Sequence, residues 1–196
     1  MEPTQFFLQY DYQRNNPQVR FKFCPHCGDG MRIIKRDHQE RNVCENCGFV
    51  QYRNPLPGVA VLIEEDDHVL LGKRKGSFGK NLWCLPCGFM EYDENFLEAA
   101  HREVFEETGL HIRIRSIISV ATNFLSPELH TLVIILLADV KDGNIHAGDD
   151  LSELKWFPLS GPFPEMAFAS DSHIIERYYR TRLMGAPIDR SFESIP

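Results

Sequence analysis

One segment, from position 88 to position 110, constrains the fold of this chain more than any other. It reads GFMEYDENFLEAAHREVFEETGL and combines good helix-forming residues with a high density of carboxylates. Asn95 followed by Glu98 fits the capping box that begins a helix, and Gly109 can take the left-handed conformation that ends one. The segment therefore predicts one helix whose start and stop are both encoded locally.

Three glutamates of this helix are spaced so that their side chains converge. Glu103, Glu106 and Glu107 stand at i, i+3 and i+4, next to the apolar stripe of the helix. Like charges at that spacing repel, and more strongly where they are partly desolvated. A hard divalent cation relieves the repulsion, and such a donor set favours Mg²⁺ or Mn²⁺. A solvated acidic face is the alternative, but it does not explain why Glu107 projects toward the apolar side.

The whole segment resembles the signature of the Nudix hydrolases. Gly88 is followed by five residues and Glu94, then by seven residues and the run REVFEETGL from Arg102 to Leu110, with no departure from the family pattern. A match with two long fixed gaps is far more specific than a lone glycine-rich loop. The resemblance implies an α/β fold, in which a mixed sheet forms an α/β/α sandwich. It also implies hydrolysis of a nucleoside diphosphate linked to another moiety, with Mg²⁺ or Mn²⁺ as cofactor.

The resemblance extends to individual residues. It implies that the catalytic metal is held by the backbone carbonyl of Gly88 and the carboxylates of Glu103, Glu106 and Glu107. Arg102 and Glu94 would orient these ligands.

The base would be one of the helix glutamates, such as Glu103, or a carboxylate from a nearby loop. Asp149, Asp150 and Glu153 are the loop candidates, and we prefer Glu153 because it lies on the predicted strand that leads into Trp156. For Asp149 and Asp150, a polar loop facing water is at least as good an interpretation.

Four cysteines upstream form a second constellation. Cys24 and Cys27 make one Cys-x-x-Cys-Gly knuckle, and Cys44 and Cys47 make another after a gap of sixteen residues. Four thiolates at this spacing predict a zinc ribbon, a closed tetrahedral site with no position for substrate, so the Zn²⁺ would be structural. Buried or disulfide-linked cysteines are the weaker alternative.

A third pair, Cys84 and Cys87, directly precedes Gly88. We interpret these cysteines as small buried side chains without redox or metal chemistry. With four of the six cysteines assigned to zinc, we expect a reducing compartment, of which the cytoplasm is the simplest. The first residues do not resemble a secretory signal, and no apolar run is long enough to span a bilayer, so no membrane partner is expected. A net charge of −7 disfavours general binding of nucleic acid.

The motifs divide the chain into three parts. Residues 1–20 form an N-terminal arm, residues 21–53 the zinc ribbon and residues 54–196 the Nudix hydrolase domain. The segment 54–58, NPLPG, predicts a hinge without regular structure because it contains two prolines.

Hydrophobic periodicity predicts the elements of the third part. They are two strands around a polar turn in VAVLIEEDDHVLLGKRK, a half-buried strand in IRIRSIISV, a central strand in LHTLVIILLADV, a strand at 154–157 and a helix at about 172–184.

The predicted function is a Mg²⁺-dependent pyrophosphatase that splits ADP-ribose or FAD into AMP and the partner phosphate. Ribbon, hinge, helix segment and tail resemble zinc-ribbon Nudix enzymes such as the FAD and ADP-ribose pyrophosphatases of plant chloroplasts. The NADH pyrophosphatases are less similar, since SVATNFLSPELH stands where they carry an SQPWPFP-type motif. Phe124, Phe163 and Phe168 are candidates for stacking on a purine.

Several alternatives stay open at this point. The substrate could be NADH, an NAD-capped RNA or a damaged nucleoside triphosphate, and the chain could be a non-catalytic nucleotide-sensing regulator. The expected partner is a small-molecule nucleotide conjugate, and a homodimer is compatible with the sequence.

Overall fold

The computed structural model describes residues 20–36, 38–76, 78–126 and 129–193, together with the backbone of residues 5–7. The predicted N-terminal arm therefore lies almost entirely outside the described residues. Two compact units form: the larger contains residues 56–123 and 131–193, and the smaller contains residues 20–55 and 124–130. No helix among the described residues is long and apolar enough to cross a membrane.

The regular elements follow one another along the chain in this order: β1 (Gln5–Phe7), β2 (Met31–Arg36), β3 (Gln39–Cys44), β4 (Val50–Gln51), β5 (Leu56–Glu65), β6 (His68–Arg74), β7 (Trp83–Cys84), β8 (Cys87–Phe89), α1 (Phe96–Thr108), β9 (Leu110–Phe124), β10 (His130–Gly143), β11 (Leu151–Pro158), α2 (Ala169–Thr181), β12 (Ala186–Pro187) and a 3₁₀ turn (Arg190–Phe192).

A mixed sheet forms the centre of the larger unit. Its strand order is β1-β9-β10-β5-β6-β11, and β12, β7 and β8 pair with β9, β6 and β5. The pairs β1/β9 and β5/β10 are parallel, whereas β5/β6 and β6/β11 are antiparallel. The central position of β5 explains its near-continuous apolar sequence, since such a strand is covered on both faces.

The two helices cover opposite faces of this sheet. On β5, Leu62 belongs to a hydrophobic cluster that includes Ile174 of α2. The preceding residue, Val61, belongs to a second cluster that includes Val104 of α1. Since successive side chains of a strand point to opposite faces, the larger unit is an α/β/α sandwich, and the predicted fold class is confirmed.

Most element predictions agree with the structure. The turn between β5 and β6 lies at Asp66 and Asp67, which both have positive φ, 46° and 61°. Helix α2 spans Ala169–Thr181, about three residues earlier than predicted. It begins after Phe168, which has no capping side chain and so left no signal in the sequence, and it ends where Arg182 turns left-handed.

The predicted hinge is wrong in its second half. Strand β5 begins at Leu56 and includes Pro57 and Gly58. Pro57 donates no hydrogen bond, but it lies near the start of the strand, where a missing donor is tolerated, and its carbonyl accepts a hydrogen bond from the Met90 N–H at 3.2 Å.

The smaller unit is a three-stranded antiparallel sheet, β2-β3-β4, with a cysteine cluster at one end. The sulfurs of Cys24, Cys27, Cys44 and Cys47 all lie within 4.8 Å of one another. In both knuckles the glycine, Gly28 or Gly48, has φ 77°. A compact set of four soft sulfur donors fits a tetrahedral Zn²⁺ ion, and no open position is left for a substrate.

We predict that Cys24→Ser lowers the thermal stability and the zinc content of the protein. Binding of a structural metal is coupled to folding, so the loss of one thiolate weakens both. Zinc content by atomic absorption and the melting temperature would measure the effect. His26→Ala, which changes an exposed side chain between two ligands and removes its ring contact with Phe49, should leave the zinc content unchanged. Unaltered zinc content in Cys24→Ser would contradict the assignment.

The buried Asp171 makes the stability of the larger unit depend on pH. It lies in the first turn of α2, is 3% exposed and accepts a hydrogen bond from the Leu85 N–H at 3.0 Å. Burial raises its pKa from 3.8 to about 7. The Asp171 carboxyl therefore has a higher pKa in the folded protein than in the unfolded chain. The protonated carboxyl contributes its full stability below the pKa of the unfolded chain, and this contribution is lost as pH rises through the pKa of the folded protein.

Asp171→Asn keeps an acceptor for Leu85 and removes the ionisation. We expect the variant to gain stability relative to the unmodified protein as pH rises from about 4 to about 7, by a few kcal/mol, and the difference to level off above pH 7. Urea unfolding at a series of pH values would measure it. A difference that does not vary with pH would show that folding does not raise the pKa of Asp171.

Candidate active site

Helix α1 begins and ends at the residues that its sequence indicates. The Asn95 side chain accepts hydrogen bonds from the N–H groups of Leu97 and Glu98, at 2.9 and 3.1 Å, and Glu98 accepts one from the Asn95 N–H at 2.8 Å. Gly109 has φ 71°, and its N–H donates to the Phe105 carbonyl at 2.8 Å. This capping fixes where along the sheet the glutamates of the helix lie.

Two of the three predicted metal-binding glutamates are buried. Glu103 is 9% exposed and Glu107 is 1% exposed, whereas about half of the Glu106 side chain is exposed. Burial raises the pKa of Glu103, and it raises the pKa of Glu107 well above the usual carboxyl range. Ionised carboxylates in such positions need compensating cations or donors.

Arg102 supplies part of that compensation. Its guanidinium donates to Glu103 Oε1 at 2.8 Å, to Glu106 Oε2 at 3.2 Å and to the Phe89 carbonyl at 3.0 Å. Its Nε donates to Glu94 at 3.0 Å, and this contact lowers the pKa of the Glu94 carboxyl. Arg102 therefore joins α1 to the loop before it, which is the arrangement expected of a group that orients the glutamates.

Gly88 lies directly against one of these carboxylates. A Cβ at this position would come within 2.0 Å of Glu103 Cδ. Strand β8 holds Gly88 opposite Val59 of β5, so the backbone cannot easily move away. Only glycine lets the Glu103 carboxylate approach the main chain here.

Glu107 is held by a different set of groups. Its Oε2 accepts a hydrogen bond from the Cys87 N–H at 2.8 Å. The Asp150 carboxyl group faces it and, after burial and Cys84, is a further cause of its raised pKa. Asp150 Oδ1 is buried, and among the described residues no hydrogen-bond partner reaches it. Two facing carboxylates without a donor between them fit a site that holds a divalent cation.

The loop 144–150 brings Asp150 to this position by covering the C-terminal end of α1. The His146 N–H donates to the Thr108 carbonyl, and the Gly148 N–H donates to the Glu107 carbonyl, both at 3.0 Å. These are carbonyls that a helix end leaves without intrahelical partners. The loop therefore satisfies the helix end and presents its own acidic residues beside the helix glutamates.

A glycine makes this close contact possible. A Cβ on Gly148 would lie 2.1 Å from the Glu106 carbonyl oxygen. The next residue, Asp149, interacts electrostatically with Glu103 and contributes to the raised pKa of that carboxyl, after burial as the first cause. Both Asp149 and Asp150 thus act on the buried glutamates.

Glu153 is on the strand that leads into Trp156, as the sequence predicts, and its role as the base stays a prediction. It lies on β11 opposite Lys73, whose Nζ is 3.6 Å from Glu153 Oε2, and half of its side chain is exposed. The pairing of β11 with β6 has an irregularity between Leu151 and Glu153, near the start of the strand. The structure brings Asp149 and Asp150, rather than Glu153, to the helix glutamates.

The carboxylates of α1 are neighbours without being tightly clustered. In the part of the chain that the structure describes, only the ribbon cysteines form a group of three or more ligating side chains whose donor atoms all lie within 4.8 Å. Repulsion separates like charges, and Arg102 and the Cys87 N–H hold different glutamates. An all-oxygen set of this kind suits a hard cation that keeps several bound waters.

Sequence reasoning missed two contributions to this site. Arg74 pairs with Asp150 at 2.8 Å, and no local pattern distinguishes it from its neighbours Lys73 and Lys75. Cys87, interpreted as a small buried residue, contributes its backbone N–H to Glu107.

We predict that Gly88→Ala weakens binding of Mn²⁺ by about 10- to 100-fold, because the new methyl group displaces the Glu103 carboxylate. Mn²⁺ titration followed by electron paramagnetic resonance would measure it, with circular dichroism to verify the fold. Gly30→Ala, where a Cβ meets nothing within 4 Å, is the matched control. Normal Mn²⁺ binding in folded Gly88→Ala would remove Glu103 from the metal site.

Comparisons with known proteins agree with this geometry. The family model described as the NUDIX domain matches residues 54–178, and a zinc-ribbon model described as Nudix N-terminal matches residues 22–53. The chain is 38% identical to an ADP-ribose pyrophosphatase of Methanocaldococcus jannaschii over 152 residues, which cover 77% of this chain and 87% of that protein.

A second relative is the NAD-capped RNA hydrolase NudC of Pseudomonas aeruginosa, 31% identical over 82% of this chain. The chain spans only 56% of the length of that protein. The crystal structure of a NUDIX hydrolase from Nitrosomonas europaea superposes with a TM-score of 0.73 at 29% identity, covering 85% of this chain and 95% of that chain. With the family model matching well over half of its length, and with the helix and sheet that the family signature implies, this chain belongs to the Nudix hydrolase family.

Proposed function

We propose that this chain hydrolyses the pyrophosphate bond of ADP-ribose, giving AMP and ribose 5-phosphate, with Mg²⁺ or Mn²⁺ as cofactor. The observation that carries the proposal is the buried Glu107 carboxylate facing Asp150, whose buried Oδ1 has no hydrogen-bond partner among the described residues, an arrangement that fits a divalent cation. The similarity to an ADP-ribose pyrophosphatase over 87% of that protein favours ADP-ribose over FAD.

In this proposal the donors of the metal site are the carboxylates of Glu103, Glu106, Glu107 and Asp150 and the carbonyl of Gly88. The bound metal would neutralise the pyrophosphate oxygens and lower the pKa of a coordinated water. Arg102 keeps Glu103 and Glu106 oriented through its hydrogen bonds. Glu94 in turn fixes the guanidinium of Arg102.

Asp149 is our candidate for the base in place of Glu153. It lies on the loop that covers the end of α1, it is exposed to water, and its charge acts on Glu103. A solvated carboxylate next to the metal ligands can accept the proton of an attacking water. Glu103 is the alternative, but its position against Gly88 suits a ligand better.

Phe168 is the aromatic candidate whose ring contacts a residue of this site. Its ring centroid is 5.7 Å from the Arg74 guanidinium carbon, and Arg74 pairs with Asp150. Phe163 packs against the hydrophobic core, and Phe124 belongs to the smaller unit. We therefore assign recognition of the adenine ring of the substrate to Phe168 and to Phe78. The Phe78 ring stacks on the Phe168 ring with centroids 5.6 Å apart.

Cleavage of a panel of substrates tests the proposal, followed as AMP from the free adenosine conjugates, as nicotinamide mononucleotide from a capped RNA and as nucleoside monophosphate from the triphosphates. The panel contains ADP-ribose, FAD, NADH, NAD⁺, an NAD-capped RNA and nucleoside triphosphates, each with Mg²⁺, with Mn²⁺ and with chelator. We expect metal-dependent cleavage, fastest for ADP-ribose. Glu106→Gln should lower kcat by at least about 100-fold, because a half-exposed metal ligand is lost without disturbing the fold.

Glu176→Gln on α2 is the matched control, since Glu176 is exposed and pairs with Arg180 at the long distance of 3.7 Å. The similarity to NudC makes the NAD-capped RNA the second candidate substrate. Preferred cleavage of that RNA would replace ADP-ribose as the substrate. Folded, zinc-loaded protein that cleaves nothing in the panel would favour the nucleotide-sensing regulator.

A further inference from the structure

The side chain of Arg74, at the end of β6, is largely buried beside the proposed active site. It is 14% exposed, and its Nη2 donates to Asp150 Oδ2 at 2.8 Å. Its Nε donates to the Phe78 carbonyl at 3.1 Å, and its guanidinium carbon lies 5.7 Å from the Phe168 ring. A guanidinium keeps its charge under such conditions, so Arg74 places a fixed cation directly behind the carboxylates.

The two carboxylate oxygens of Asp150 have different surroundings. Oδ2 accepts from Arg74, whereas Oδ1 is buried without a partner among the described residues, and the carboxyl group faces Glu107. Two like-charged groups do not approach each other without a counter-charge. The ion pair with Arg74 offsets that repulsion and limits the directions in which the Asp150 carboxylate can turn.

The backbone around Arg74 reinforces this arrangement. The Lys75 N–H donates to the Asp150 carbonyl at 2.8 Å, so strand β6 holds both the main chain and the side chain of Asp150. The other terminal nitrogen of Arg74 lies 3.8 Å from Cys84 Sγ and 4.0 Å from Cys87 Sγ. The guanidinium thus reaches the loop before α2, the loop after β10 and the turn between β7 and β8.

We infer that Arg74 is a positioning residue for the metal site: it holds the Asp150 carboxylate beside Glu107 and thereby sets the affinity for the divalent cation. The inference rests on the metal site of the proposed function, but not on its substrate. Arg74 itself touches neither the metal nor the reacting atoms in this role. A group that orients a metal ligand typically changes metal affinity by about 10- to 100-fold when it is removed.

The planar fork of arginine is needed for this role. Its nitrogens point in three directions at once, toward the Phe78 carbonyl, the Asp150 carboxylate and the thiols of Cys84 and Cys87. A lysine ammonium is a single point charge on a flexible stem and cannot make all three contacts. We therefore expect Arg74→Lys to be intermediate between the unmodified protein and Arg74→Met.

Mn²⁺ binding, followed through the paramagnetic resonance signal of free Mn²⁺, tests the inference without any substrate. The variants are Arg74→Met, Arg74→Lys, Asp150→Asn and the double variant Arg74→Met/Asp150→Asn. We expect Arg74→Met to raise the Kd for Mn²⁺ by about 10- to 100-fold. If Arg74 acts through Asp150, the double variant should be within about twofold of Asp150→Asn, since residues in one network are not additive.

Lys73→Met is the matched control, because Lys73 is the neighbouring cation on the same strand and pairs with Glu153 instead. Its Kd for Mn²⁺ should not change. Circular dichroism and melting temperatures establish that each variant is folded, and Arg74→Lys, expected to raise Kd by about 3- to 10-fold, keeps the test decisive if Arg74→Met does not fold.

Two results would overturn the inference. One is a folded Arg74 variant that binds Mn²⁺ as tightly as the unmodified protein. The other is full additivity of the Arg74 and Asp150 effects, which would indicate a general structural role. Failure of the proposed function is separable: an unmodified protein that binds Mn²⁺, loses affinity in Arg74→Met, and yet cleaves no substrate would support the positioning role and refute the hydrolase.

Discussion

Helix α1 buries the carboxylates of Glu103 and Glu107 against the sheet, and most of the surrounding site serves to make that burial tolerable. An unpaired buried charge is strongly unfavourable. Arg102 donates to Glu103, and Arg74 donates to Asp150, which in turn faces Glu107. These groups do not compensate the facing oxygens of the carboxylates. A divalent cation would complete this part of the site.

The same loop satisfies a structural need and a functional one. Residues 144–150 cover carbonyls at the end of α1, and in doing so they place Asp149 and Asp150 beside the buried glutamates. Gly88 and Gly148 each permit the main chain to lie close to a residue of α1. The ribbon is organised on a different principle, since its small sheet depends on four cysteines rather than on an extensive apolar core.

The features that nearby residues encode were predicted correctly. The ends of α1, the turn at Asp66 and Asp67 and the four-cysteine cluster were all predicted, since each depends on residues a few positions apart or on a strong repeated motif. The hinge prediction failed at Pro57, because strand β5 includes this residue and the Met90 N–H, just after β8, donates to its carbonyl. The start of α2 was misplaced because no side chain caps it.

By itself, the sequence determined helix α1 and the spacing of its three glutamates, because helical periodicity and capping operate within one or two turns. It also determined the two cysteine knuckles, because each is a motif of a few consecutive residues. Only the tertiary structure decided which loop carboxylates join that helix. Arg74 and Asp150 are 76 positions apart in the chain, and their contact depends on how β6 lies beside the loop after β10. No local rule relates residues so distant, so the choice of Asp149 and Asp150 over Glu153 required the folded chain.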